Sequence, residues 1–135
     1  MLKKGQVAIE YLILTAFLLV VVIIIFGYSF VVLNENSKLE VAKSSVRALV
    51  TASDQVSVLG PGNAIIVKFE LPDNAQSVDA RGHGVNVRLN QLAGISDVVD
   101  YSVSNITPVS LPAGFGVYNV RVEAVDENVV FTVVS

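Results

Sequence analysis

The sequence predicts an α+β chain: a long N-terminal helix, membrane-spanning and then amphipathic, followed by a small antiparallel all-β head folded as a sheet or a sandwich. Three observations predict it. Tyr11 to Leu33 runs 23 residues without a charge. Apolar or small residues then recur every three or four positions as far as Val56. Beyond Gly60-Pro61-Gly62 apolar residues alternate with polar ones, the period of a half-buried strand. At 135 residues the length fits one ordinary domain.

The chain opens Met1-Leu2-Lys3-Lys4-Gly5, a basic start that the positive-inside rule keeps in the cytoplasm, with the rest of the chain outside. The charge-free run follows. About 20 apolar residues at ~1.5 Å per residue cover a hydrocarbon core of ~30 Å, and backbone groups inside a bilayer must be satisfied within the segment, so the run is expected to cross as a helix. Its β-branched residues lower helix propensity in water, but its length and lack of alternation argue against a strand. An ordinary secretory signal fits poorly. Its apolar core is ~7–15 residues long and ends at a small-x-small site, whereas this run is longer, ends in FVVLNENS and has a carboxylate, Glu10, at its entrance.

Past the run, Leu39, Ala42, Val46, Leu49 or Val50, Ser53 and Val56 define one helical face, with Lys38, Glu40, Lys43, Arg47 and Asp54 mostly between them. Gly27 offers a place to bend, and Asn34 and Asn36 loosen the junction. Gly60-Pro61-Gly62 ends the helix, because Pro lacks the amide hydrogen and Gly favours turns.

The head reads as roughly six short strands. Ile65, Val67, Phe69 and Leu71 alternate with Ile66, Lys68 and Glu70 before a Pro72-Asp73-Asn74 turn. Ser77 to Ala80 and Val85 to Leu89 are expected as two strands paired across an Arg81-Gly82-His83-Gly84 turn. Asp97 to Ser104, the stretch around Val120 and Val122, and Asn128 to Val134 complete the set, with Asp126-Glu127-Asn128 closing the last hairpin. A head of 75 residues, Pro61 to Ser135, is small for independent stability. The amphipathic helix is therefore expected to supply the missing apolar layer.

Lys3-Lys4-Gly5-Gln6-Val7-Ala8-Ile9-Glu10-Tyr11-Leu12-Ile13-Leu14 resembles the class III signal peptide of archaeal type IV pilin-like proteins. In that family a basic leader ending in Gly is followed by Gln-x-Ser-x-Glu and a Leu four residues beyond the Glu. Gln6, Glu10 and Leu14 match, and Ala8 stands where Ser is usual. The later order of Gly-Pro-Gly break, strand ending in Leu-Pro, and Pro108-Val109-Ser110-Leu111-Pro112-Ala113-Gly114 is similar to small proteins of the same kind.

The resemblance implies cleavage between Gly5 and Gln6 by a membrane-embedded prepilin peptidase that reads Lys3, Lys4, Gly5 and Gln6. It also implies an assembly role for Gln6, Glu10 and Leu14, and partners in a pilus assembly platform, its ATPase and identical or related pilin subunits, with the lipid bilayer holding the chain before assembly. The divisions that follow are a leader at 1–5, a transmembrane and filament-core helix at 6–33, an amphipathic extension at 34–60 and an extracellular β-rich head at 61–135. The alternative is a bitopic anchor that keeps its leader and presents the head as a binding or adhesion module without polymerising.

Other functions lack their residues. The chain has 9 Lys+Arg against 12 Asp+Glu and no basic stripe, so no nucleic-acid partner is expected. It has no Cys and one His, His83, read as a solvated turn residue. Asp97, Asp100, Asp126 and Glu127 are scattered without calcium-loop spacing, so neither a metal, a cofactor nor a catalytic role is expected. Asn105-Ile106-Thr107 matches the N-glycosylation pattern, with Pro108 directly after it.

Overall fold

A computed structural model describes residues 2–134; Met1 and Ser135, the outer ends of the expected leader and head, lie outside the described residues. One helix, α1, runs unbroken over Leu2–Leu59, so neither Gly27 nor the Asn34 and Asn36 junction interrupts it. The expected break terminates it. Gly60 adopts φ 94° and its N–H donates to the Val56 carbonyl at 3.0 Å, a left-handed cap that glycine adopts without steric cost. The Asn63 amide donates to the Leu59 and Gly60 carbonyls at 2.9 and 3.0 Å, satisfying acceptors that the helix end leaves open.

The chain divides by its contacts into two units, one ending at Asn36 and one beginning at Ser37. In the first, the apolar side chains from Val7 to Leu33 are exposed almost throughout. In the second, the last part of α1 meets five strands: β1 (Ala64–Leu71), β2 (Ala75–Gln91), β3 (Gly94–Leu111), β4 (Gly116–Val125) and β5 (Asn128–Val133). They form one sheet in the order β1-β4-β5-β3-β2, antiparallel except for β3 and β5, which pair in parallel through Asn105↔Asn128 and Ile106↔Val129. The head is thus a sheet rather than a sandwich. Asp126, at φ 53°, turns the two-residue loop between β4 and β5, as a tight hairpin requires.

The helical face expected from the spacing is the one that is buried. Ala42, Val46, Leu49 and Val56 are fully inaccessible and share a core with Phe69, Leu71, Val120 and Val122. Each such valine, leucine or phenylalanine contributes about 1.5–3 kcal/mol by leaving water. Ser53, polar on this face, satisfies its buried hydroxyl by donating to the Leu49 carbonyl at 2.8 Å. Polar links also join helix to sheet. The Ser45 hydroxyl donates to the Glu70 carbonyl at 2.7 Å and accepts the Glu70 N–H at 3.1 Å. Asp54 accepts the Ser102 hydroxyl at 2.5 Å and the Val103 N–H at 3.1 Å.

The expected pairing around Arg81-Gly82-His83-Gly84 needs correction, although the chain does reverse there. Ser77 to Ala80 and Val85 to Leu89 belong to one strand, β2, and both pair with β3 instead of with each other. A straight chain from Asn74 to Asn90 would span roughly 50 Å, yet the Asn90 N–H donates to the Asn74 carbonyl at 2.8 Å. The β2–β3 hairpin is therefore folded back on itself. The register slips between Ala80 and Gly82 and again between Gly82 and Gly84, where Gly82 takes φ 60°. Over the bend β2 advances from Ala80 to Gly84 while β3 advances from Tyr101 to Val109, so β3 takes the longer, outer path. Two expected strands thus merge, and the count falls from six to five. His83 is exposed as expected but not merely solvated: its Nδ1 lies 2.9 Å from the Ser104 carbonyl, a bond that fastens the bend where ladder pairs are missing.

Stability should separate two kinds of buried group. Leu49→Ala, which empties a fully buried site, should cost about 2–5 kcal/mol. Ser104→Ala removes a buried hydroxyl that has no hydrogen-bond partner among the described residues, and should leave stability unchanged or raise it by about 1 kcal/mol. Denaturant unfolding of the full chain in detergent micelles measures both.

Candidate processing and assembly site

Lys3, Lys4, Gly5 and Gln6 occupy the first turns of α1 and all are exposed. The first turn holds no acidic residue, so the two lysines sit at the helix's positive end with nothing nearby to oppose them. Gly5 is helical and a Cβ there would meet nothing within 4 Å. A glycine inside a helix costs roughly 0.5–1 kcal/mol relative to alanine. The chain's own fold therefore gives no reason for glycine at this position.

Gln6, Glu10 and Leu14 follow at intervals of four, which in an α-helix places each one about 6 Å along the axis from the last and only ~40° around it. They form one stripe. All three are exposed. Glu10 stands at the head of the charge-free run, and no ion pair or hydrogen bond engages its carboxylate among the described residues. Tyr11, Leu12, Ile13 and Leu14 beyond it are between 61 and 70 % exposed, so the described residues provide neither a counter-charge nor an apolar cover. The apolar part of α1 is long enough to cross a membrane, and none of that window is buried within the structure.

Asn105 lies on the exposed side of β3, where its Nδ2 donates to Asn128 Oδ1 at 2.9 Å. The acceptor nitrogen of the Asn-Ile-Thr triplet is thus accessible but engaged. Asn128, the first residue of β5, comes opposite it through the parallel pairing, which strand alternation alone does not reveal. Among the acids, Asp97 pairs with Arg88 at 3.0 Å and Asp100 accepts its neighbour Tyr101's N–H at 2.9 Å. The hydrogen bond and charge of Asp97 hold the Arg88 guanidinium above its ordinary pKa. No three His, Cys, Asp or Glu side chains converge among the described residues.

Residues 3–28 match the family model described as Class III signal peptide. The match covers Lys3 through Tyr28 and so takes in the whole stripe of Gln6, Glu10 and Leu14. Over these 26 of its 135 residues the chain is similar to a class III signal peptide, the type of signal that a prepilin peptidase processes. No curated protein and no solved structure matches it.

The engaged amide yields a prediction for Asn105. Glycopeptide mass spectrometry of native material should find partial occupancy, and Asn128→Ala, which releases Nδ2, should raise it. Bare Asn105 in both proteins would remove it as a glycosylation site.

Proposed function

We propose that the chain is the structural, non-catalytic subunit of an archaeal type IV pilus-like surface filament. The observation that carries this reading is the exposed, charge-free helix, headed by the Glu10 carboxylate and lying mostly in the segment that matches the class III signal peptide. Before assembly the bilayer covers the helix, with the short N-terminus in the cytoplasm and the head outside. After assembly, neighbouring helices cover it.

Cleavage between Gly5 and Gln6 changes the helix start in three ways. It removes Lys3 and Lys4 from the positive end of the helix dipole, and it leaves Glu10 within the first turns, where a carboxylate is favoured. It also places a new α-amino charge on Gln6. In a staggered bundle the amine of an incoming chain meets the Glu10 of one already docked. An unpaired carboxylate in hydrocarbon costs roughly 2.5–3.5 kcal/mol, and pairing removes much of that cost. Assembly then favours correct register, since an axial slip leaves both charges unpaired. An assembly platform and its ATPase would lift subunits out of the bilayer into this bundle.

Intact-mass measurement of the native protein tests the processing step. Loss of Met1 to Gly5 is the expected result, and retention of the leader would instead support an unpolymerised bitopic anchor. Gly5→Leu should block cleavage. Glu10→Gln should leave insertion and cleavage intact while cutting filament yield about tenfold or more, given the size of the unpaired-charge cost. Normal yield from that variant, counted by electron microscopy, would refute the register mechanism.

A further inference from the structure

The folded-back hairpin encloses a cleft of about 740 Å³, within the ~300–1,000 Å³ usual for small-molecule sites. The first limb of β2 contributes Ser77, Asp79 and Arg81, and the second contributes Asn86 and Arg88, with Tyr101 of β3 beside them. The bend brings these two sets together; a straight hairpin would hold them far apart.

The lining is polar around one aromatic platform. Tyr101 is 71 % exposed, and its ring lies so close over Gly84 that a Cβ there would come within 3.4 Å of ring carbon Cε1. A ring set against the strand leaves an open surface on which the C–H groups of a flat apolar face can rest. The surrounding charges are mostly satisfied. Arg88 reaches both oxygens of Asp97, at 3.0 and 3.5 Å, and Asp79 accepts the Ser110 hydroxyl at 2.9 Å. Arg81 is different: it lines the cleft, is exposed, and makes no ion pair or side-chain hydrogen bond with another described residue.

We propose that this cleft binds a saccharide bearing a carboxylate, a sugar ring resting on Tyr101 and the carboxylate meeting Arg81. Amide, hydroxyl and carboxylate groups on the walls suit a ligand rich in hydroxyls, which both donate and accept. The Arg81 guanidinium, in no ion pair with another described residue, presents a planar fork that matches a carboxylate bidentately, although the Asp79 carboxylate shares the cleft. Among the described residues lining the cleft one cation is outside an ion pair, too few for a polyphosphate or nucleic-acid backbone. The site lies wholly in the head, so it serves a polymerised subunit and a single anchor alike.

The test uses the full-length chain in nanodiscs, with saturation-transfer NMR and calorimetric titration against trigalacturonate, neutral maltotriose and citrate. Trigalacturonate should bind with saturation transferred to its ring C–H protons, and maltotriose should bind about tenfold more weakly for want of the charge-assisted pair. Arg81→Gln should reduce trigalacturonate to the affinity of maltotriose. Tyr101→Ala should abolish both, while Tyr101→Phe, which keeps the ring, should retain them and so separate loss of the platform from loss of the fold. The proposal is overturned if trigalacturonate fails to bind at millimolar concentration, if citrate displaces it at equal concentration, or if Tyr101→Ala binds normally. Processing at Gly5 plays no part in these measurements, so their failure would not bear on the filament reading.

Discussion

The head depends on the burial of one helical stripe. Ala42, Val46, Leu49 and Val56 give the five-stranded sheet an apolar surface to close against, and without it Phe69, Leu71, Val120 and Val122 would face water. A domain of this size buries too little of its own surface to be comfortably stable. The same helix, by contrast, leaves its apolar residues from Val7 to Leu33 exposed almost throughout among the described residues. One continuous element therefore completes a fold in one part and requires an outside environment in another. The conserved geometry of an α-helix makes the transition possible without a loop: only the sequence pattern changes, from apolar all round to apolar on one side.

Much of this was legible because it is written in local period and punctuation. The three-and-four spacing identified the buried face residue by residue, including Ser53, whose polarity is absorbed by its own helix. Gly60-Pro61-Gly62 marked the end of α1, and the alternation from Ile65 to Leu71 marked a strand buried on the side of Phe69 and Leu71. The bend at Arg81 to Gly84 was visible as a turn signal, but its consequence was not. Whether two flanking strands pair with each other or both pair with a third depends on contacts distant in the chain, and local propensity carries no information about them.

The two sites differ in the same way. The N-terminal motif is linear: Lys3 to Gln6, Glu10 and Leu14 lie on consecutive turns, so spacing alone defines their stripe. The cleft is assembled from residues that share no spacing. Arg81 and Tyr101 line one cleft at the bend, where β3 carries extra residues, yet in isolation Arg81 reads as a turn residue and Tyr101 as an ordinary strand residue. The engagement of Asn105 with Asn128 was hidden for a related reason, since it follows from a parallel contact only two residue pairs long.

Ser45 has a consequence beyond holding helix to sheet. β1 is an edge strand, and an edge presents unpaired N–H and C=O groups on which a strand of another molecule can dock. At Glu70 both groups are already taken by a single hydroxyl from the helix. The proposed filament would bring such edges together at high local concentration, the condition that favours runaway strand pairing. An intruding strand would have to break two hydrogen bonds at that rung before making any, so in the proposed filament the serine would act as a stopper that keeps neighbouring heads separate.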